Sequence, residues 1–181
     1  MTSPGTPEPL LAPDALAGKR IAISASESPD LARLGLEEIH FRLALAEIAR
    51  AVLVSGGKLS YGGHLAPDGY TSMLIQELHR YSRRDKPLQI CLAWQEHRNL
   101  AEEQFDNIKA DLGLYGEIVC LDPDGSPFTW KPGQKGAPEQ VADQVHRQKS
   151  LSALRKFVTS QVQGRVLIGG RRRMCGDASG L

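Results

Sequence analysis

The stretch that decides the fold is RIAISASES, residues 20–28. Its apolar half ends at Ser24, and Ser26 and Ser28 follow at alternate positions. A short apolar run bounded by polar residues is typical of a strand buried on both faces of a parallel sheet, here opening into a polar loop. Pro29 then suits the first position of a helix, because proline lacks the N–H that a first helical residue leaves unpaired. The stretch therefore predicts a strand, a loop and the start of a helix.

Alternating strand and helix patterns run along the rest of the chain. Apolar residues at helical spacing predict helices near 36–50, 70–81, 100–112 and 140–162, and short apolar runs predict strands at 51–55, 88–94, 117–121 and 165–168. This alternation is typical of folds in which right-handed crossovers join parallel strands. The sequence therefore predicts an α/β fold with a Rossmann-like, doubly wound, mostly parallel sheet of at least five strands and helices on both faces.

Length and proline content predict the domain organisation. A chain of 181 residues fits one domain. Residues 1–17 contain four prolines and little apolar pattern, so we expect a disordered tail before a domain at 18–181. Residues 122–137 are rich in glycine and proline, which predicts a long loop that marks a lid or a partner surface. Such folds normally continue into a helix after the last strand, so we expect the C-terminal end of the domain to be incomplete.

Composition and charge exclude several functional classes. The formal net charge is +1, so no chain-wide field would steer the protein onto nucleic acid or an anionic membrane. The sequence has no long apolar run and no signal-peptide pattern, which predicts a cytoplasmic protein with no membrane partner. Cys91, Cys120 and Cys175 are odd in number and far apart, so we expect free thiols rather than disulfides or a zinc site.

Ligands of open α/β sheets bind outside the carboxyl ends of the strands, and three loops fit that place. The first loop contains Ser24, Ser26 and Glu27. Their side chains suit phosphate, ribose or base atoms, or they cap a helix and complement its dipole.

The second candidate loop is rich in glycine. Its candidate residues are Gly56, Gly57, Tyr61, Gly62, Gly63 and His64, followed by Thr71 near a helix start. Two glycine pairs let backbone N–H groups approach an anion closely, and the following helix adds a positive dipole end. His64 is either a general base or a residue that lines the site and forms a hydrogen bond.

The third candidate loop contains Gly169, Gly170 and Arg171. The glycines again follow a predicted strand, and arginine supplies a rigid fork that matches phosphate. A solvated basic run is the alternative interpretation.

None of the three loops carries a standard catalytic signature. The sequence has no GxGxxG after the first strand, no GxxxxGK[ST], no GxSxG and no HExxH. We therefore assign no catalytic residue, no metal ligand and no cofactor.

Several of these segments resemble the SLOG superfamily, in particular the SLOG domains found beside TIR or Sir2 effector domains in bacterial conflict systems. The resemblance rests on residues 21–28, 53–65, 69–71 and 166–171 together with Gly176, and it covers nearly all of residues 19–181. Tyr61-Gly62-Gly63 is its specific signature, whereas many Rossmann-like folds share the strand patterns.

The resemblance implies a Rossmann-like sensor that binds a nucleotide or a nucleotide-derived signal, such as an ADP-ribose derivative, at the strand ends. It assigns to the three binding loops, in order, Ser24, Ser26 and Glu27; Tyr61, Gly62 and Gly63; and Gly169, Gly170 and Arg171. We expect Tyr61 or Tyr70 to stack on a base. We expect the domain to associate with another protein, because a half-covered sheet needs apolar contacts. The partner is either a second copy of the chain, giving a homo-oligomer, or an effector protein.

The chain departs from the family pattern at three places. His64 stands where an acidic residue is usual, Tyr70 replaces a usual phenylalanine, and the helix that follows in the family is missing after Gly180. Two functions known in the same superfamily stay as alternatives. One is a LOG-like phosphoribohydrolase acting on nucleoside monophosphates, although its PGGxGTxxE motif is absent here. The other is DprA-like binding of single-stranded DNA, which only the basic run 171–173 favours.

Overall fold

The computed structural model describes residues 12–26, 30–63, 65, 69–81, 85–98, 100–131 and 144–169. The described strands are β1 (Arg20–Ser26), β2 (Lys58–Gly62), β3 (Leu88–Leu92), β4 (Gly116–Leu121), β5 (Pro127–Phe128) and β6 (Gly164–Gly169). The described helices are α1 (Asp30–Arg33), α2 (Glu38–Val54), α3 (Tyr70–Tyr81), α4 (Trp94–His97), α5 (Glu102–Leu112) and α6 (Gln144–Ser160). Strands and helices alternate along most of the chain, as the apolar pattern predicts.

One sheet contains all six described strands, in the order β5-β4-β3-β2-β1-β6. The pairs β1–β2, β1–β6, β2–β3 and β3–β4 are parallel, and β4–β5 is antiparallel. β1 thus lies between β2 and β6, the last described strand of the chain. The predicted class, a Rossmann-like α/β fold with a mostly parallel sheet, is confirmed.

The two faces of the sheet pack against different helices. On one face, Ile23 of β1 and Ile90 of β3 belong to the larger core cluster, to which α2, α3 and α5 contribute. On the other face, Ala22 of β1 and Cys91 of β3 pack with Leu154 of α6. This division follows from the alternation of side chains along a strand, which sends neighbouring residues to opposite faces.

The predicted strand at 51–55 is wrong. α2 continues through most of this stretch, because Val52 and Leu53 are buried and extend the core-facing side of the helix. A short apolar run fits a buried strand and a buried helical turn equally well, and here the helical face decides. The chain leaves the helix through Gly56, whose φ of 79° is a left-handed conformation that favours glycine.

Three other segments differ from expectation. Residues 58–62, expected within the glycine-rich second loop, form strand β2. Residues 12–17, expected to belong to a disordered tail, form turns in which Leu16 packs on the core and its N–H donates to the Ser55 carbonyl at 2.8 Å. The predicted loop at 122–137 includes the short strand β5, which pairs with the end of β4. Its residues after 131 lie outside the described part of the chain.

Two of the three cysteines are buried, free thiols. Burial raises the pKa of Cys91 to about 11 and that of Cys120 to about 12. The predicted free thiols are confirmed for these two residues, and Cys175 lies outside the described residues.

Neither a membrane span nor a metal cluster occurs in the described ranges. No helix there combines the length and the apolar character needed to cross a bilayer. The described His, Cys, Asp and Glu side chains form no group of three or more that could hold a metal ion.

His97 is a buried titratable side chain at the end of α4. It is 1% exposed, and its Nε2–H donates to the Leu121 carbonyl at 2.8 Å. Its Nδ1 has no hydrogen-bond partner among the described residues. Burial lowers the pKa of His97 below its ordinary value of 6.5, because the charged imidazolium is poorly solvated there.

We therefore expect the free energy of unfolding to decrease as the pH is lowered below 6.5. In that range the unfolded chain binds a proton that native His97 does not bind, so the stability due to the neutral imidazole is complete above 6.5 and declines below it. Urea unfolding at pH 7.5 and pH 5.5 measures the difference. The difference should shrink in His97→Gln, and an equal difference in both proteins would contradict this assignment.

Gly116, the first residue of β4, stands where a side chain does not fit. A Cβ at this position would lie 2.5 Å from Cδ2 of Leu112 and 2.8 Å from the carbonyl oxygen of Leu88. We expect Gly116→Ala to reduce the free energy of unfolding by about 1–3 kcal/mol, because the backbone oxygen cannot move aside cheaply. Gly164→Ala, at the start of β6, is the matched control, since its Cβ meets only Cδ1 of Ile21 at 3.2 Å. Equal stability losses in the two variants, measured by urea unfolding, would rule out overpacking as the cause.

Candidate functional site

A pocket of about 340 Å³ opens where the carboxyl ends of β1 and β6 meet the end of β2. Ser24 and Ser26 of β1, Gly62 of β2 and Gly169 of β6 line it. The parallel register carries them to the same edge of the sheet, because Ser26 pairs with Gly169. Residues from all three predicted binding loops are thus brought together.

Gly169 cannot be replaced by a residue with a side chain, and Gly62 has little room for one. Gly169 has a φ of 74°, and a Cβ there would collide with the carbonyl oxygen of Ser26 and approach Phe41. A Cβ on Gly62 would lie 3.3 Å from Cδ2 of Leu154. The two glycines therefore let neighbouring chain segments approach closely beside the pocket.

α6 forms the apolar wall of the pocket. Leu151, Leu154 and Val158 point toward the sheet from successive turns of this helix. Leu167 of β6 also lines the pocket and is 72% exposed. Such a large exposed apolar side chain beside polar groups can contact a flat apolar moiety of a ligand.

Two guanidinium groups supply positive charge. Arg155 of α6 and Arg165 of β6 both line the pocket and are exposed. A terminal nitrogen of Arg165 donates to Oγ1 of Thr159 at 2.5 Å and to the carbonyl of Arg155 at 3.5 Å. These bonds fix the direction of the Arg165 side chain, and no hydrogen bond among the described residues involves its other terminal nitrogen.

Neither arginine is among the site residues that the sequence predicts. Arg165 stands at the start of an otherwise apolar strand, and β6 is an edge strand of the sheet and has no fully buried residue. No sequence signal identifies Arg155 as a site residue, because α6 has several cations along its exposed surface and the sequence alone does not single one out.

The glycine pair Gly56-Gly57 is not part of this pocket. It follows α2 and precedes β2, so it lies at the amino end of β2, whereas Gly62 lies at the carboxyl end. The N–H groups of Gly56 and Gly57 bond to the carbonyls of Leu53 and Val52, at 3.2 Å and 2.9 Å. The pair therefore terminates a helix and lies at the end of β2 opposite the pocket, because the preceding segment is helix rather than the predicted strand.

The two tyrosines expected to stack on a base are core residues. Tyr61 is 2% exposed and faces α2 and α3, away from the pocket, and burial raises the pKa of its hydroxyl to about 12. Tyr70 packs on Phe41, with ring centroids 5.3 Å apart, and its hydroxyl donates to Glu38 at 3.0 Å. Neither ring is available to a ligand, so the stacking role is not supported.

Thr71 lies in a different cavity. It is buried in α3, and it lines a space of about 270 Å³ with His79 of α3 and Asp111 of α5. α3 packs on the sheet face opposite α6, so Thr71 is separated from Ser24 by the sheet.

The remaining candidates are placed only in part. Gly63 is half-buried and lies against the ring of Tyr61, which leaves no room for a side chain there. Glu27, His64, Gly170 and Arg171 lie outside the described residues.

The chain matches the model of a known protein family. The model of the family described as SLOG cluster2 matches residues 15–181. No curated protein and no solved structure matches the chain. The match covers the whole described sheet and its helices, and the family indicates a domain for nucleotide-related binding or processing. The chain therefore belongs to the SLOG cluster2 family.

Proposed function

We propose that the pocket between β1, β6 and α6 binds a nucleotide or a nucleotide-derived signal of the ADP-ribose type. One observation carries the proposal: the pocket joins two serine hydroxyls, two glycine backbones and two guanidinium groups at the carboxyl ends of parallel strands. Hydroxyl, backbone and guanidinium donors are the groups that proteins use to bind phosphate oxygens.

The pocket has separate polar and apolar parts, as a nucleotide requires. Ser26 and Gly169 are paired neighbours at the ends of β1 and β6, whereas Leu151, Leu154 and Val158 line the side of the pocket that α6 forms. We infer that the phosphates bind to the donors and that the base or a ribose packs against the leucines. The pocket volume is at the lower end of the range for small-molecule sites, so part of the ligand remains outside it.

The lining favours binding over hydrolysis. None of the described pocket residues carries a carboxylate, and cleavage of an N-glycosidic bond usually needs one to assist the leaving base. Single-stranded DNA is also disfavoured, because binding without sequence preference uses stacked aromatic side chains and no described pocket residue is aromatic. As a sensor, the domain would pass the bound signal to an effector, in a bacterial defence or signalling system.

A ligand panel tests the proposed function. Thermal unfolding is measured with ADP-ribose, cyclic ADP-ribose isomers, NAD, AMP and a single-stranded oligonucleotide, and each ligand is recovered and chromatographed afterwards. A ligand at about 100 times its Kd should stabilise the fold by roughly 2.7 kcal/mol. We expect stabilisation by one intact nucleotide. Release of free base would establish a hydrolase instead, and no stabilisation by any nucleotide would contradict the proposal.

Arg165→Ala should weaken the binding of the nucleotide found in that panel about tenfold to hundredfold. A hydrogen bond to a charged group contributes about 1.5–3 kcal/mol, and Arg165 is the guanidinium that internal bonds already orient. Isothermal titration calorimetry measures the change. Lys156→Ala is the matched control, because Lys156 is an exposed cation next to Arg155 that does not line the pocket. Equal losses in both variants would show a general charge effect rather than a contact.

A further inference from the structure

α2 carries an apolar stripe on the side that faces away from the core. Ile39 and Leu43 are 53% and 57% exposed. The buried residues of the same helix, such as Leu45 and Val52, lie on the opposite side. Helices on the surface of a sheet normally have one apolar side, so a second apolar side indicates a second contact.

The stripe has the spacing of a coiled-coil seam. Ile39, Leu43, Ala46 and Arg50 follow one another at intervals of four, three and four residues, and these positions share one side of a helix. Val54, also exposed, extends the stripe to the end of α2. α2 is about 25 Å long, and the part of the seam from Ile39 to Arg50 extends over about 17 Å.

We propose that a second copy of this chain covers the stripe, with the two α2 helices packed antiparallel about a two-fold axis. Ile39 and Leu43 remain more than half exposed against the rest of the chain. The net charge of +1 gives no long-range attraction for a strongly charged partner, whereas it allows two copies to meet. The proposal does not depend on the ligand of the pocket.

Side-chain size favours the antiparallel arrangement. Large and small residues alternate at the middle of the seam, where Leu43 is followed by Ala46. In an antiparallel pair centred there, Leu43 packs over Ala46 of the partner subunit, and the two-fold axis repeats the contact. The seam is therefore complementary to itself, as a two-fold interface requires.

Charge favours the same arrangement. Arg50 is exposed near the end of the seam, where its guanidinium forms an ion pair with Glu47 at 2.6 Å. In a parallel pair, Arg50 would meet Arg50 of the partner subunit, and the like charges would repel. In an antiparallel pair its alkyl chain packs on Ile39 of the partner subunit, close to the acidic first turn of that helix, which contains Glu38.

Sedimentation velocity over a range of protein concentrations tests the proposal. We expect the wild-type protein to sediment as a dimer of 19.7-kDa chains and Leu43→Asp to sediment as a monomer with an unchanged far-UV circular dichroism spectrum. Leu114→Asp is the matched control, because Leu114 is 58% exposed but lies in the turn between α5 and β4. The Leu114→Asp protein should remain a dimer. A wild-type monomer at all concentrations, or a dimer that Leu43→Asp leaves intact, would overturn the proposal.

Disulfide cross-linking tests the relative orientation of the two α2 helices, and it does not require a charged residue in the interface. Ile39→Cys and Arg50→Cys are prepared separately, each with Cys175→Ser, and are oxidised alone and as a mixture. The antiparallel pair joins position 39 to position 50, so only the mixture should cross-link efficiently. Cross-linking of each variant with itself would indicate a parallel pair and contradict the arrangement. An absence of cross-links in every sample would contradict the interface itself.

Discussion

A difference in side-chain size between the two faces of the sheet creates the site. Toward α6, β1 and β2 carry Ala22, Ser24 and Ser60, whereas toward α2 and α3 they carry Ile23 and Tyr61. The large residues fill one side of the sheet with core. The small ones let α6 pack closely on β2 and β3, and beside β1 and β6 they leave open space that hydroxyls, backbone and side chains of α6 line. The position of the pocket therefore follows from the alternation of two residue sizes along two strands.

Most of the fold follows from apolar periodicity. The segments 88–92 and 116–121 are strands close to their predicted bounds, because each apolar run is bounded by polar residues and is shorter than an ordinary helix. The error at 51–55 shows the limit of this argument. The run continues the buried side of a long helix, and the tertiary contacts of that helix, rather than local pattern, decide its conformation. The packing of Leu16 on the core could not be predicted from local pattern either, because it depends on residues distant in sequence such as Ser55.

The site was predictable where it depends on strand ends and not where it depends on side-chain direction. Ser24, Ser26 and Gly169 follow from the rule that ligands bind at the carboxyl ends of parallel strands. The direction of Tyr61 depends on the register of β2, since a shift of one residue exchanges the two faces. Arg165 enters the pocket because β6 pairs with β1, a contact between the two ends of the domain that no local pattern encodes.

The most direct test of the account is a titration of the ¹⁵N-labelled protein with ADP-ribose and AMP, followed by amide chemical shifts. The account predicts that the amides of Ser24, Ser26, Gly62 and Gly169 shift together and saturate at one ligand per chain. The amides of Gly56 and Gly57 should not move, because they terminate α2 at the other end of β2. Shifts centred on that helix end or on Thr71, or no shifts at all, would contradict the claim that the pocket beside α6 is the ligand site.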